Sequence, residues 1–156
     1  MGWSARRCCE VTYPLHVILR YEIEKALIEG EIEVTHIPDM WDEKMMSYLK
    51  HDTRGDFKDG CLQDVHWHAG LFGYFPTYTL GAMMAAQQFA AAKAEMPDVL
   101  DQLGSGDVSG LLGWVRRNIH ERASLYTVSD LMTHATAEDL NEQFFVNHLK
   151  ARYLPS

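Results

Sequence analysis

The chain has 156 residues, of which 47% are hydrophobic and 23% are charged, and this composition is typical of a globular protein rather than a disordered one. Its 22 acidic and 14 basic residues give a formal net charge of −8, which argues against a nucleic acid or an anionic membrane surface as the main partner. No apolar run approaches the ~18–20 residues that a membrane-spanning helix requires, and the first residues contain no apolar signal-peptide core. The three cysteines do not make a disulfide framework, so the reducing cytoplasm is the expected compartment.

Apolar residues recur at helical spacing along most of the chain, which predicts an all-α fold of about six helices. The first helix is expected to start at Pro14 and to end near Gly30, and the second is expected to start at Pro38. Residues 50–60 carry charges and two glycines without periodicity, which is typical of a surface loop. Residues 60–75 fit no helical period, so we expect an irregular or short extended segment there.

The second half of the chain is predicted to be helical throughout. A helix from Pro76 to about Ala94 is apolar on nearly all sides, which predicts burial against several neighbours. A short helix follows Pro97, and three further helix starts are predicted from capping residues at Asp107, Thr127 and Asn141. In the helix after Asp107, four residues are expected to face inward: Leu111, Leu112, Val115 and Ile119.

The eight histidines do not form a recognisable zinc site within this chain. A helical zinc peptidase site needs two histidines four residues apart, with a glutamate directly after the first. The single His-Glu pair is His120–Glu121, and Ser124 stands where the second histidine is needed. We therefore expect no metal ligand set in this chain, and we expect His120 and Glu121 to be solvated residues near a helix end.

The most unusual group of chemically versatile residues lies between Gly60 and His68, in the sequence GCLQDVHWH. If this segment is extended, Asp64, His66 and His68 share one face and could hold a metal ion. A structural alternative is a hydrogen-bonded Asp64–His66 pair that supports a loop and leaves His68 exposed. In a third alternative, Asp64 orients an imidazole that helps to bind the developing negative charge of a substrate.

Two tyrosines, Tyr74 and Tyr78, flank Pro76 close to that segment. A phenol donates a hydrogen bond to a carboxylate or an oxyanion without itself carrying charge, so both are candidates for the same substrate. The neighbouring phenylalanines are expected to be core residues: Phe72, Phe75 and Phe89. Neither a glycine-rich phosphate loop nor a G-x-S-x-G nucleophile motif is present.

These residues resemble a known family. Gly60–Trp67 carries all five fixed positions of the G-x-x-Q-D-x-H-W signature of the carboxypeptidase Taq family of zinc metallocarboxypeptidases. Three other segments are similar to the same family, so the resemblance extends over about residues 10–154: Val11–His16, Phe72–Gly81 and Ser124–Thr127. The resemblance implies a cytoplasmic, mostly helical, homodimeric peptidase that removes C-terminal residues from peptides with a zinc-activated water.

The resemblance also implies what this chain does not contain. The family's HExxH helix and its third zinc ligand lie upstream of every segment matched here, and residues 1–9 do not fit the I-R-x-x-A-D motif expected before Glu10. Residues 10–156 are therefore interpreted as the C-terminal helical part of a metallocarboxypeptidase domain, and residues 1–9 as unrelated to it. Such a part is expected to bind no zinc alone and to be inactive alone.

The resemblance assigns roles to six residues of the segment after Gly60. His66, together with Tyr78 or Tyr74, is expected to polarise the scissile carbonyl or to stabilise its oxyanion. Three more are expected to line the substrate side of the cleft: Gln63, Asp64 and Trp67.

Three functional hypotheses follow from this interpretation. The chain is an inactive fragment of a peptidase, a subunit that complements a separate HExxH-bearing chain, or a non-catalytic helical interaction module. The expected partners are the C-termini of peptides and either a second copy of the chain or the missing N-terminal half. We expect no nucleic-acid or membrane partner.

Overall fold

The structure is a computed structural model that describes residues 10–122 and 124–154. Within these residues the regular structure is entirely helical, which confirms the all-α prediction, and no helix is long and apolar enough to cross a membrane. About six helices were expected, and the described part of the chain forms seven. These α-helices are α1 (Tyr13–Ile28), α2 (Ile37–Leu49), α3 (Pro76–Glu95), α4 (Val99–Gly104), α5 (Ser109–Asn118), α6 (Val128–Thr136) and α7 (Gln143–Tyr153). Two short 3-10 helices are also present: Val34–His36 lies between α1 and α2, and His120–Arg122 lies between α5 and α6. The prediction that residues 1–9 are unrelated to the family lies outside the described residues.

The chain divides into two compact units, and the boundary falls inside α3, between Thr79 and Leu80. The first unit holds α1, α2 and the segment that leads to α3. The second unit holds the remainder of α3 and helices α4 to α7.

The core of the first unit forms where α1 packs against α2, and its fully or almost fully buried members are Leu19, Ile23, Trp41, Met45 and Cys61. Each large apolar side chain buried in this way stabilises the unit by about 1.5–3 kcal/mol. Pro14 lies in the first turn of α1, where a proline is tolerated, and Pro38 lies in the first turn of α2, as predicted. The chain leaves α1 through Gly30, whose φ of +73° favours glycine.

The segment from residue 50 to residue 75 contains neither helix nor strand, which confirms the irregular structure predicted for it. It is not extended, because a series of turns runs through it; Leu71 N, for example, donates to the carbonyl oxygen of His66 at 2.9 Å. Gly60 is required here for space, since a Cβ atom on it would lie 2.3 Å from the Asp56 carbonyl oxygen.

In the second unit, α5 agrees with the prediction at Leu111, Val115 and Ile119, which are half-buried, but not at Leu112. Trp114 is buried in α5 and its Nε1 donates to Glu95 Oε2 at 2.7 Å, whereas Leu112 is 39% exposed. The prediction for Leu112 was therefore wrong, because the largest apolar residue takes the centre of the buried face. In α3, only Gln87 and Ala92 are buried within this chain, so the burial expected on several sides is not observed here.

The predicted helix starts are close to the observed ones. Thr127 is the N-cap of α6, and its hydroxyl accepts a hydrogen bond from Asp130 N at 3.2 Å. Asp107 and Asn141 each lie one position before the N-cap of their helix. The side chain of each accepts a hydrogen bond at 2.9 Å from the backbone N–H of the residue two positions further along the chain. His120 and Glu121 are exposed residues of the short helix that follows α5, as expected.

Candidate functional site

The site is built on a buried polar stripe along α1. His16, Arg20 and Glu24 follow one another at intervals of four residues, so they lie on one helix face. They are only 4%, 5% and 2% exposed. Charged side chains are so rarely this buried that each needs a partner, and the structure gives Arg20 and Glu24 theirs in the segment of residues 60–75.

Sequence reasoning missed this stripe because it treated α1 only as an apolar helix. The signal that would have found it is the pattern H-x-x-x-R-x-x-x-E inside a helix whose same face also carries core residues. A charged residue at a position that should be buried indicates a specific buried partner.

Arg20 forms the first contact between α1 and the signature segment. Its Nε donates to Asp64 Oδ2 at 3.0 Å, and its Nη1 donates to the carbonyl oxygen of His16 at 2.8 Å. The guanidinium also lies 4.7 Å from the centre of the Trp41 ring, in a cation–π arrangement. The core of the first unit and the site thus share one buried cation.

Asp64 connects Arg20 to His66, because it forms hydrogen bonds with both residues. Its Oδ1 accepts the backbone N–H of His66 at 3.0 Å and a short hydrogen bond from the Nδ1 of the same residue. Burial of Asp64 acts to raise its pKa, but the hydrogen bonds from His66 and the charge of Arg20 together act more strongly, so the pKa of Asp64 lies below its usual value. Asp64 is therefore ionised at neutral pH and can only accept, which assigns the proton to Nδ1 of His66.

The other ring nitrogen of His66 faces Tyr78. His66 Nε2 lies 2.8 Å from Tyr78 Oη, and in the neutral imidazole, with Nδ1 protonated, it accepts the tyrosine hydroxyl. Phe75 and Tyr74 pack on the His66 ring, with ring centres 4.7 and 5.6 Å away. We call the chain of contacts formed by Arg20, Asp64, His66 and Tyr78 the polar relay.

The polar relay opens into a cavity of about 160 Å³ lined by Tyr13, His16, Val17, Arg20, Asp64, His66, Phe75 and Tyr78. All four residues of the relay line it, together with His16 and with the apolar or aromatic side chains of Tyr13, Val17 and Phe75. Tyr78 is 37% exposed, so its hydroxyl group lies at the accessible end of a buried charge network. Such a group can donate a hydrogen bond to a carbonyl oxygen or to a developing oxyanion.

The structure brings together some of the predicted site residues and separates others. Asp64, His66 and Tyr78 line the cavity, and Tyr74 packs against His66. Trp67 does not line it, because its indole Nε1 donates to Glu24 Oε1 at 3.0 Å.

Gln63, which was also predicted to line the substrate side of the cleft, is absent from the cavity lining. Its side chain is half-buried, and no hydrogen-bond partner for its Nε2 is present among the described residues. The substrate-binding roles of Gln63 and Trp67 therefore stay predictions.

The alternative in which Asp64, His66 and His68 hold a metal ion does not match the geometry. His68 is exposed and lines a different, apolar cavity with Leu62 and other residues, while Asp64 and His66 line the first one. Across residues 10–122 and 124–154, no three His, Cys, Asp or Glu side chains lie close enough to hold a metal ion.

Comparison with known proteins identifies the family of the chain. The chain is 41% identical over 144 residues to thermostable carboxypeptidase 1 of Thermus thermophilus and 35% identical over 144 residues to that of Pyrococcus furiosus. Each match covers 92% of this chain but only 28% and 29% of the relative, so the chain spans less than a third of their length. The solved structure of Trypanosoma cruzi metallocarboxypeptidase 1 has a TM-score of 0.93 at 44% identity, over 99% of this chain and 32% of that one. Residues 7–153 match the carboxypeptidase Taq (M32) metallopeptidases, and the chain belongs to that family.

Proposed function

We propose that this chain forms one wall of the substrate cleft of a zinc-dependent carboxypeptidase that removes C-terminal residues from peptides. The observation that carries the proposal is the polar relay, which ends in His66 and Tyr78 at an accessible cavity. In this proposal the zinc ligands belong to polypeptide outside this chain, and the chain alone does not catalyse hydrolysis. The proposal includes a cytoplasmic enzyme that works as a homodimer.

The relay has a defined part in the proposed reaction. Zinc, when bound, supplies an activated water for attack on the peptide bond. When His66 takes up a proton from solvent at Nε2, its hydrogen bond with Tyr78 reverses, so that the imidazolium donates to the tyrosine oxygen. The Tyr78 hydroxyl hydrogen is then free to turn to the carbonyl oxygen of the substrate, and the ionised Asp64 stabilises the imidazolium.

A chimaera tests this function. The matching 144 residues of the Thermus thermophilus enzyme are replaced by those of this chain, and zinc-dependent release of C-terminal amino acids is measured. We expect the chimaera to be active and His66→Ala to lower kcat by about 100-fold or more, as for loss of an oxyanion-stabilising group.

His68→Ala is the matched control, because His68 lies two residues away and lines the other cavity. We expect it to leave kcat unchanged. Full kcat in the His66→Ala chimaera would contradict the proposed role of the relay. Turnover by the isolated 156-residue chain with zinc would contradict the proposal that the metal ligands lie elsewhere.

A second candidate function is a non-catalytic helical subunit that complements a separate chain carrying the HExxH motif. The observation that favours it is the apolar composition of α3, of which only Gln87 and Ala92 are buried in this chain. A helix of this composition is expected to be covered by protein. In both candidates the partners are peptide C-termini and the missing part of the enzyme.

A further inference from the structure

The Glu24 side chain is the second buried acidic group of the site, and the polar relay does not include it. Glu24 is 2% exposed, and each of its oxygens accepts one hydrogen bond. Oε1 accepts the indole Nε1–H of Trp67 and Oε2 accepts the backbone N–H of Gly73, both at 3.0 Å. We call these two contacts the Glu24 bridge.

The Glu24 bridge contacts Trp67 and Gly73, the two ends of a turn that lies between His66 and Tyr78 in the chain. Trp67 directly follows His66, and Gly73 directly precedes Tyr74 at the approach to α3 and Tyr78. We propose that Glu24 is a positioning residue that sets the distance between His66 and Tyr78, an inference that rests on the proposed function.

The backbone hydrogen bonds within this turn lie in its first part, where the amides of Ala69, Gly70 and Leu71 donate to the carbonyl oxygens of His66 and Trp67, whereas the amide of Gly73 donates to Glu24. Residues 66–75 lie outside every helix and strand, so no regular ladder of hydrogen bonds spans them. Gly73 adopts a φ of +75°, a conformation that glycine reaches easily and leaves easily. Helix α1 is a rigid element, and Glu24 on α1 therefore gives the turn a fixed reference point.

The site requires a carboxylate rather than an amide. Both partners of Glu24 are N–H donors, so the side chain must offer two acceptors. In Glu24→Gln the size is kept, but the amide nitrogen would face one of the two donors and that hydrogen bond would be lost.

Glu22→Gln is a matched control on the same helix. The Glu22 carboxylate also accepts two hydrogen bonds, from Lys44 Nζ at 2.6 Å and from Tyr48 Oη at 2.7 Å. Both of these partners lie on α2 and not in residues 60–75. A general effect of removing a charge from α1 would appear in both variants.

The first measurement detects the two hydrogen bonds of the Glu24 bridge by NMR of the ¹⁵N-labelled full chain. We expect the Gly73 amide or the Trp67 indole N–H resonance to shift and to exchange faster with solvent in Glu24→Gln, and to stay unchanged in Glu22→Gln. Unchanged resonances in Glu24→Gln would overturn the inference. If that variant gives no dispersed spectrum, Trp67→Phe, which removes one donor and keeps an aromatic ring, takes its place, with Gly73 as the reporter.

The second measurement reads the positioning role through kinetics of the chimaera. We expect Glu24→Gln to lower kcat by about 10–100-fold with KM retained, since displacement of a reacting group by about 1 Å has effects of this size. We also expect the effects of Trp67→Phe and Glu24→Gln to be less than additive, because both variants weaken the Glu24 bridge. Retained kcat with shifted resonances would overturn the positioning role.

A different result would contradict the proposed function itself. That result is full activity of the His66→Ala chimaera, and it does not depend on the activity measured for Glu24→Gln. In that case the Glu24 bridge is still judged by the resonances of Trp67 and Gly73.

Discussion

At the scale of single residues, α1 concentrates buried charge where most helices carry apolar side chains. Arg20 and Asp64 form a largely buried ion pair, and such a pair costs desolvation free energy that it recovers only with good geometry and further hydrogen bonds. Here the further bonds go to His16 and His66. The pair is therefore better explained by the orientation of His66 than by stability alone.

His16 makes the stability of the chain sensitive to mild acid. Burial lowers the pKa of His16 from 6.5 to about 4, and the positive charges of Arg20 and His51 act in the same direction. Between these values the unfolded state binds a proton that the folded state does not, so stability is complete above about pH 6.5 and falls as the pH approaches 4. At ~1.36 kcal/mol for each pKa unit, the loss in the free energy of unfolding is on the order of 3 kcal/mol.

Urea unfolding at several pH values between 7.5 and 4 measures this loss, with His16→Gln as the comparison. We expect a shallower pH dependence in His16→Gln, because glutamine does not titrate. Asp64 contributes to the pH dependence of stability at lower pH. Because its pKa in the folded state is below the usual value, its stabilising charge is lost only when the pH falls through that lowered pKa. Equal pH slopes for the wild type and His16→Gln would contradict the assignment to His16.

At the scale of elements, one buried amide connects α3 to the segment between α6 and α7. Gln87 is fully buried, and its Nε2 donates to Thr136 Oγ1 at 2.8 Å and to the carbonyl oxygens of Glu138 and Asp139. Its Oε1 accepts Asn141 N at 2.9 Å. The segment before α7 has no regular structure, so its backbone groups form hydrogen bonds with the Gln87 side chain instead of with other backbone groups.

We expect Gln87→Met to lower the free energy of unfolding by about 1–3 kcal/mol, because the side chain keeps its length but no longer offers a partner to the Asp139 carbonyl oxygen and the Asn141 N–H. Gln88→Met is the control: it is the next residue of α3, and its Nε2 contacts the sulfur of Met132 at 3.5 Å. Thermal or urea unfolding of both variants measures the difference. Equal stability of the two would show that the Gln87 network contributes little.

The elements themselves were largely predictable, and the connection between them was not. Prolines and capping side chains act on the chain within a few residues, so Pro14, Pro38 and Thr127 marked helix starts correctly. The turns of residues 50–75 depend on close approaches such as that of Gly60 to the Asp56 carbonyl, which no local pattern reveals.

At the scale of the whole molecule, the chain corresponds to less than a third of each relative it matches. If the proposed function is right, the chain and the remaining segment of the enzyme should associate. Large apolar side chains are exposed on several elements, including Ile28, Val34, Leu62, Val65 and Leu125, and exposed apolar groups of this kind favour association or aggregation.

We expect the purified chain to form a complex with the remaining segment of the Thermus thermophilus enzyme, expressed separately with its HExxH helix. Size-exclusion chromatography with light scattering measures the association, and zinc-dependent release of C-terminal residues measures activity of the mixture. Each component alone serves as a control and should be inactive. A chain that stays monomeric at high concentration, with or without the other segment, would contradict this expectation.

The sequence by itself determined the helical class, most helix starts and the identity of the signature residues, because these depend on periodicity, on local capping and on residue type. It also placed Asp64, His66 and Tyr78 among the candidates. Only the tertiary structure decided that Asp64 and His66 are held by Arg20, that Trp67 faces Glu24, and that His68 lies apart. The first two of these relations join residues more than forty positions apart in the chain. They form because buried charged and polar groups on α1 find partners in a turn, and local sequence does not encode such pairing.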